Sequence, residues 1–116
     1  MSEDRPVSST RGFRVHFYEQ EGALIAECHG RLIYENAPHL KDEVRAKIPG
    51  NKHIILDLLD VPQVDSSGLG MLERLARKVA VRLVVPDGAI VARTLHVTGL
   101  DQLVPTFGTR EEAVNG

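Results

Sequence analysis

The sequence lacks tryptophan and has few aromatic residues of any kind. Aromatic residues make up 4% of the 116 positions, whereas apolar residues as a whole make up 42%. A chain of this length and composition can bury one compact core. Because large rings are scarce, leucine, isoleucine, valine and alanine must fill that core, and we expect a single domain with an aliphatic interior.

Cysteine is almost absent, since Cys28 is the only one. The chain therefore cannot form an internal disulfide, which favours a reducing compartment, and Cys28 is most simply a small buried thiol. No apolar run approaches the ~20 residues of a membrane-spanning helix, and the first residues lack the charged-then-apolar order of a secretory signal. These absences predict a soluble cytoplasmic protein without a membrane partner.

Basic charge is not in excess either. The chain has 14 basic and 16 acidic residues and a formal net charge of -2. A nucleic-acid-binding surface needs clustered basic charge, so we expect no direct nucleic-acid partner. The five histidines include no pair at i, i+4 spacing, and the sequence therefore predicts no metal site.

The apolar pattern predicts strands that alternate with helices. Residues 1–10 are largely polar and predict a flexible tail before a domain that spans residues 11–116. Residues 13–18 and 24–28 alternate between apolar and polar and are joined by a short turn, which predicts an antiparallel hairpin. The nearly continuous apolar run 54–61 predicts a strand buried on both faces, as in a parallel or mixed sheet.

Further elements follow from helical periodicity and from turn residues. In chain order they are a helix with Asn36 as N-cap that stops at Pro49-Gly50, a helix over 69–81, a strand over 82–85, a short helix over 90–95, a turn over 97–101, a strand over 103–107 and a final helix with Thr109 and Glu112 as a capping box. The order β-β-α-β-α-β-α-β-α predicts a single α/β domain. Its mixed, mainly parallel sheet starts with an antiparallel hairpin and packs against about four helices.

The stretch from Val64 to Gly70 joins the central strand to the second helix. A helix start leaves several backbone N–H groups unpaired, and the side chain of Asp65, Ser66 or Ser67 can accept a hydrogen bond from one of them. The two glycines of the stretch weaken a helix by roughly 1 kcal/mol each relative to alanine. They either let a partner's backbone or a phosphate approach closely, or they allow tight packing of the helix on the strand.

This stretch resembles the signature of a known family. Leu56-Asp57-Leu58, a spacer and then Asp65-Ser66-Ser67-Gly68-Leu69-Gly70 are similar to the signature of the STAS domain, a family of sulfate transporters and anti-sigma factor antagonists. The resemblance extends from about residue 13 to residue 114 and includes Gly30-Arg31-Leu32 and the segments 97–101 and 109–113. It implies a STAS-like fold. It also implies a stand-alone antagonist that binds an anti-sigma factor and so releases a sigma factor.

The resemblance also implies how such a protein is switched. The anti-sigma factor is an ATP-dependent serine kinase that modifies the second serine of the pair, here Ser67, and a separate serine phosphatase reverses the modification. ATP and magnesium belong to the kinase, so this chain is expected to be non-catalytic and to hold no cofactor. The rest of the loop and one or two aspartates of the preceding strand shape the loop or meet the partner: Asp65, Ser66, Gly68, Leu69, Gly70 and Asp60, with Asp57 as a further candidate.

Elementary electrostatics supports the same hypothesis. A phosphoserine carries about −1.5 to −2 charge at neutral pH, which a helix N-terminus tolerates and a protein interface does not. Modification of Ser67 should therefore act on binding more than on stability. Asp65 and Asp60 would add repulsion toward an acidic partner surface.

Three other interpretations remain. Ser66 or Ser67 could be a hydrolase nucleophile, but Val64 or Asp65 stands where the Gly-x-Ser-x-Gly elbow needs its first glycine, and only the distant His53 or His96 could act as a base. The loop could cradle a nucleotide phosphate, but Met71 stands where a P-loop needs lysine. The protein could also be a scaffold module of a signalling or lipid-transport complex whose serine is never phosphorylated.

For several residues near the loop, the sequence allows two interpretations. Leu69 and Met71 fit a core position, although either could project toward the partner. Arg74, Arg77 and Lys78 form a solvated helix face or line the partner surface beside the loop.

Overall fold

The computed structural model describes residues 7–10, 12–49 and 53–116. The elements in chain order are β1 (Val7–Thr10), β2 (Phe13–Gln20), β3 (Ala23–His29), α1 (Ala37–Lys47), β4 (His53–Asp60), α2 (Ser66–Ala76), β5 (Val81–Val84), α3 (Ile90–Thr98), α4 (Leu100–Leu103), β6 (Thr106–Phe107) and α5 (Arg110–Asn115). Among the described residues, no helix combines the length and the apolar character needed to cross a bilayer.

The strands form one six-stranded sheet in the order β1-β2-β3-β4-β5-β6. β1 and β3 pair antiparallel with β2, whereas β3–β4, β4–β5 and β5–β6 are parallel. The predicted α/β domain, with a mixed sheet that begins with an antiparallel hairpin, is confirmed. A sheet that advances in one direction through crossovers of one hand collects its crossover helices on one face.

The two faces of the sheet are covered unequally. The larger core lies under α1 to α4 and takes Ile54, Leu56 and Leu58 from β4. The smaller core lies under α5, whose Ala113 packs with Ile55 of the same strand. Because successive side chains of a strand point to opposite faces, β4 is buried on both sides, as its apolar run predicted.

The predicted flexible tail is corrected over residues 7–10. These residues form β1, in register with β2 from Val7 opposite His16 to Thr10 opposite Phe13. A β-ladder is made by backbone N–H and C=O groups, so a mostly polar segment can pair with a sheet edge without an alternating apolar pattern. Residues 1–6 of the predicted tail lie outside the described residues.

The predictions for residues 97–107 are also corrected. The predicted turn instead holds the end of α3, a left-handed Gly99 with φ of 80°, and the start of α4, while the last strand shrinks to Thr106–Phe107. Gly99 ends α3 by donating its N–H to the carbonyls of Leu95 and His96, and the chain then enters α4 at once. A glycine cap of this kind is hard to tell from a turn in sequence.

Two predicted helix caps have different outcomes. Thr109 caps α5, since its side chain accepts from the Glu112 N–H at 3.1 Å. Asn36 occupies the N-cap position of α1, but its side chain makes no cap bond and donates instead to the carbonyl of Arg31 at 2.8 Å. Helix α2 spans Ser66–Ala76, shorter than the predicted segment, which ran on to residue 81.

An ion-pair network fixes α5 to the sheet. Arg110 donates to Oδ2 of Asp57 from Nε at 3.0 Å and from Nη2 at 2.6 Å, and Nη2 also donates to Oε2 of Glu27 at 2.5 Å. The two carboxylates are neighbours in the parallel register of β3 and β4. The Arg110 guanidinium also lies 5.4 Å from the centre of the Tyr18 ring. Asp57, which the sequence predicts to hold the loop or meet the partner, is buried in the structure and pairs with Arg110 of α5.

The network shifts the pKa values of Glu27 and Arg110. Partial burial by itself raises the pKa of Glu27, but hydrogen bonds from Arg110 and His29 outweigh it and hold that pKa below its ordinary value. Burial likewise opposes the charge of Arg110, yet its bonds to Asp57 and Glu27 raise its pKa overall. The charged forms of both side chains are therefore the stable ones in the folded protein.

Loss of the arginine should leave Asp57 buried without a counter-charge. We expect Arg110→Met to lower the free energy of unfolding by about 2–4 kcal/mol, somewhat less than for a wholly buried pair because Arg110 is partly exposed. Urea unfolding followed by circular dichroism measures the change. Arg93→Met, on the exposed side of α3, should stay within about 0.5 kcal/mol of wild type. Equal losses in the two variants would contradict the assignment.

Candidate functional site

The start of α2 is attached to the segment that follows β3. Leu32 and Val64 form an isolated parallel bridge between the two segments. The Leu32 N–H donates to the Gln63 carbonyl at 2.9 Å, and the Asp65 N–H donates to the Leu32 carbonyl at 3.2 Å. The backbone of the loop is therefore held by two hydrogen bonds to Leu32 just before the helix begins.

Asp65 is the residue that caps α2. Its backbone is extended, its Oδ1 accepts from the Gly68 N–H at 2.9 Å, and its Oδ2 accepts from the Tyr34 N–H at 3.0 Å. One carboxylate thus satisfies an orphan N–H of the helix and anchors the segment after β3. Of the three capping candidates in the sequence, the structure selects Asp65 and leaves the hydroxyls of Ser66 and Ser67 without this role.

The two glycines of the loop are required for different reasons. A Cβ on Gly68 would lie 2.5 Å from the Leu32 carbonyl oxygen and 2.8 Å from Cγ1 of Val64, so no side chain fits there. Gly68 is itself buried, in agreement with the packing interpretation. A Cβ on Gly70 would meet only the guanidinium of Arg74, 3.3 Å from its Nη1. Gly70 therefore faces a mobile group at the surface.

The two serines occupy the first turn of α2 but differ in exposure. Ser66 is exposed and Ser67 is half-buried. Of the two apolar residues with two interpretations, Met71 is a core residue with 1% exposure, whereas Leu69 is only partly buried. The hydroxyl pair, Leu69 and Gly70 are thus parts of the loop that another molecule can reach.

Two depressions meet at this helix tip. The first, which we name the α2–α4 groove, encloses about 510 Å³. It is lined by Ser66, Leu69, Gly70, Glu73, Arg77, Thr98, Gly99, Leu100 and Leu103. Its leucines give it an apolar floor, and an ion pair between Glu73 and Arg77 with a 2.8 Å separation lies along its rim. The α4 side of this groove could not be located from the sequence.

The second depression, the α1–α2 cleft, encloses about 290 Å³. It is lined by Tyr34, Ala37, Pro38, Lys41, Ser66, Ser67, Gly70, Met71 and Arg74. Ser66 and Gly70 border both depressions, whereas Ser67 borders only the cleft. A group attached to Ser67 would therefore project beside the residues that the two surfaces share.

Asp60 lies apart from the other predicted partner-binding residues. Its Oδ2 is 2.7 Å from Nδ1 of His29, and its carbonyl accepts from the Gly30 N–H at 3.1 Å. His29 in turn reaches Glu27 at 3.4 Å. Asp60 lines neither the groove nor the cleft, although its side chain is 73% exposed.

The described residues offer little for nucleophilic or metal chemistry at this site. The two candidate bases, His53 and His96, line neither depression, and His96 contacts Asp101 at 3.0 Å. No group of three or more His, Cys, Asp or Glu residues in the described part of the chain could hold a metal ion. Burial raises the pKa of the Cys28 thiol, which keeps it protonated. The accessible chemistry is that of two hydroxyls beside a groove.

The family model of the STAS domain matches residues 14–113. The chain belongs to the STAS domain family. The anti-sigma-F factor antagonist RsfB of Mycobacterium tuberculosis is 24% identical over 114 residues, which cover 95% of this chain and 93% of that protein. The high affinity sulfate transporter 1 of Stylosanthes hamata is 24% identical over 99 residues, 72% of this chain. This STAS chain spans only 15% of the transporter's length.

Solved structures show the same fold. An anti-sigma factor antagonist from Mycobacterium paratuberculosis superposes with a TM-score of 0.81 at 23% identity, covering 89% of this chain and 92% of that one. The phosphorylated form of the Bacillus cell fate determinant SpoIIAA gives a TM-score of 0.62 at 18% identity, with 87% and 96% coverage. At these identities the likeness establishes the STAS fold.

The same substitution at the two loop glycines should have opposite effects. Gly68→Ala places a methyl group against the Leu32 backbone and should destabilise the protein by about 1–3 kcal/mol. Gly70→Ala only displaces the end of Arg74 and gains helix propensity, so it should stabilise by up to about 1 kcal/mol. Thermal unfolding of both variants measures the contrast. Equal effects of the two substitutions would show that the packing against Leu32 has been misjudged.

Proposed function

We propose that this protein is an anti-sigma factor antagonist that binds an anti-sigma factor through the α2–α4 groove and the tip of α2. The main support is that Ser66, Leu69 and Gly70, from the predicted loop, line an open, partly apolar groove. The similarity to RsfB over nearly the full length of both chains agrees with a regulator of this size. In this proposal the chain itself is not an enzyme and acts in the cytoplasm.

Apolar side chains around the groove favour a protein partner. Leu103 on α4 lines the groove and is 46% exposed, and Leu69 on α2 lines it and is partly buried. Exposed apolar residues that cluster beside a groove mark interaction surfaces more often than isolated ones do. Leu69 and Leu103 would be buried by the partner, while Asp65 and Gly68 act indirectly by fixing the shape of the loop. Asp60 would contact the partner only at the edge.

Phosphorylation of Ser67 is the proposed switch. The modification would add about −1.5 to −2 charge next to Ser66 and Gly70, which the partner must cover. Binding would then require desolvation of that charge, so the complex would dissociate. The anti-sigma factor would supply the serine kinase activity with its own ATP and magnesium, and a serine phosphatase would restore the binding form.

Substitutions at the two serines test the switch. Ser67→Asp should weaken binding of the anti-sigma factor at least about tenfold, or 1.4 kcal/mol, because charge enters the interface. Ser67→Ala should keep the affinity and abolish phosphate incorporation. Isothermal titration calorimetry and intact-mass measurement after incubation with the kinase and ATP give the two readouts.

Ser66→Ala is the matched control and should still accept phosphate. Continued phosphorylation of Ser67→Ala would overturn the assignment of the site. Tight binding by wild type, with no phosphate incorporated at any serine, would instead favour an unphosphorylated scaffold module.

A further inference from the structure

Two basic side chains share the α1–α2 cleft with Ser67. Lys41 enters from α1 and Arg74 from α2, and both line the same depression of about 290 Å³. The sequence places Lys41 more than 20 residues from the loop, so only the packing of α1 against α2 brings it there. The cleft is thus a small cationic site that contains the proposed phosphorylation site.

The position of Arg74 is set by helix geometry. Ser67, Met71 and Arg74 are spaced four and three residues apart and share one face of α2, with Met71 buried in the core. Side chains in a helix lean toward its N-terminus, so the end of Arg74 is carried back toward the first turn. A Cβ on Gly70 would lie 3.3 Å from Nη1 and 3.7 Å from Nη2 of Arg74. The guanidinium therefore rests on the bare backbone of Gly70.

Lys41 and Arg74 differ from other cations on the same two helices. Lys47 on α1 pairs with Glu43 at 3.3 Å, and Arg77 after α2 pairs with Glu73 at 2.8 Å. Within residues 7–10, 12–49 and 53–116, no carboxylate lies within ion-pair distance of Lys41 or Arg74. The two charges are thus available to an anion that enters the cleft.

We propose that Lys41 and Arg74 are the receptor for a phosphomonoester on Ser67, which they hold in the α1–α2 cleft. The inference rests on the proposed function for the identity of the modified serine. Two cations match the −1.5 to −2 charge of a phosphoserine, and charge-assisted hydrogen bonds from Arg and Lys are the usual recognition of phosphate. Asp65 opposes this charge, but its carboxylate is already held by two backbone N–H groups.

The receptor explains one feature of the structure and has one consequence for the phosphorylated protein. Gly70 lacks a side chain where the guanidinium must rest, although alanine would make a better helix. The phosphorylated protein would also remain folded, because the new charge is neutralised within the molecule. Phosphorylation would then change the surface that a partner meets without unfolding the helix tip.

The test uses phosphoserine inserted at position 67 during translation, so that no kinase is needed. Thermal unfolding is measured for the phosphorylated and unmodified forms of wild type and of Lys41→Gln/Arg74→Gln. The control is Arg45→Gln/Lys78→Gln, which removes one lysine and one arginine from exposed positions of α1 and just after α2. We subtract the Tm of the unmodified form from the Tm of the phosphorylated form. We expect this difference to be about 4 °C lower in the cleft variant than in wild type, and to be the same in the control as in wild type.

A second readout follows the phosphate itself. In a phosphorus NMR titration, its second pKa should be lower in wild type than in the cleft variant by roughly 0.5 to 1 unit, because nearby cations favour the dianion. Gly70→Ala, which displaces the guanidinium, should give part of this change even if the double variant folds poorly. Equal Tm differences and equal phosphate pKa values in wild type and cleft variant would overturn the proposal, as would unfolding of the phosphorylated wild type.

The outcomes separate this inference from the proposed function. If phosphoserine blocks binding of the anti-sigma factor but substitution of Lys41 and Arg74 changes neither the Tm difference nor the phosphate pKa, the proposed switch is supported and the receptor proposal is wrong. If both readouts change as expected but phosphoserine leaves binding of the anti-sigma factor intact, the receptor proposal is supported and the proposed switch is wrong. If the unmodified cleft variant loses affinity and neither readout changes, the two cations contact the partner instead and the receptor proposal is wrong.

Discussion

The close contact between the Leu32 segment and the first turn of α2 is the constraint on which the site depends. It brings a backbone carbonyl so near to Gly68 that any Cβ would clash, and it places the carboxylate of Asp65 between two N–H donors. Both features follow from one requirement. The strands β3 and β4 are parallel neighbours, so the segments that follow them run side by side, and their buried backbone groups must form hydrogen bonds with each other. The loop is therefore held by hydrogen bonds next to the turn of α2 that carries its hydroxyls.

The two faces of the sheet have different roles. One face is covered by α1 to α4, and the gaps between these helices form the groove and the cleft that meet at Ser66 and Gly70. The other face is closed by α5, which Arg110 ties to Asp57 in the middle of the sheet. A charge added to the helix tip thus acts on the open face. The partly buried ion pairs on the opposite face hold α5 on the sheet.

Much of the fold was predictable because its determinants are local. The nearly continuous apolar run of β4, the alternating hairpin strands and the Thr109 cap each act over a few residues, and the structure confirms all three. The errors have a common cause. Strand β1 is held by backbone pairing to an edge, which polar side chains do not reveal, and Gly99 separates two helices where a turn was expected.

The sequence by itself determined that a capped, glycine-containing helix start follows a doubly buried strand, because capping and burial patterns are written within a few neighbouring positions. Only the tertiary structure decided what surrounds that helix start. Lys41, Leu100 and Leu103 come from elements remote in sequence and reach it through helix packing, while Asp60 is close in sequence yet is held by His29. Spacing along a chain encodes local geometry, but neighbours across a groove depend on how whole helices pack.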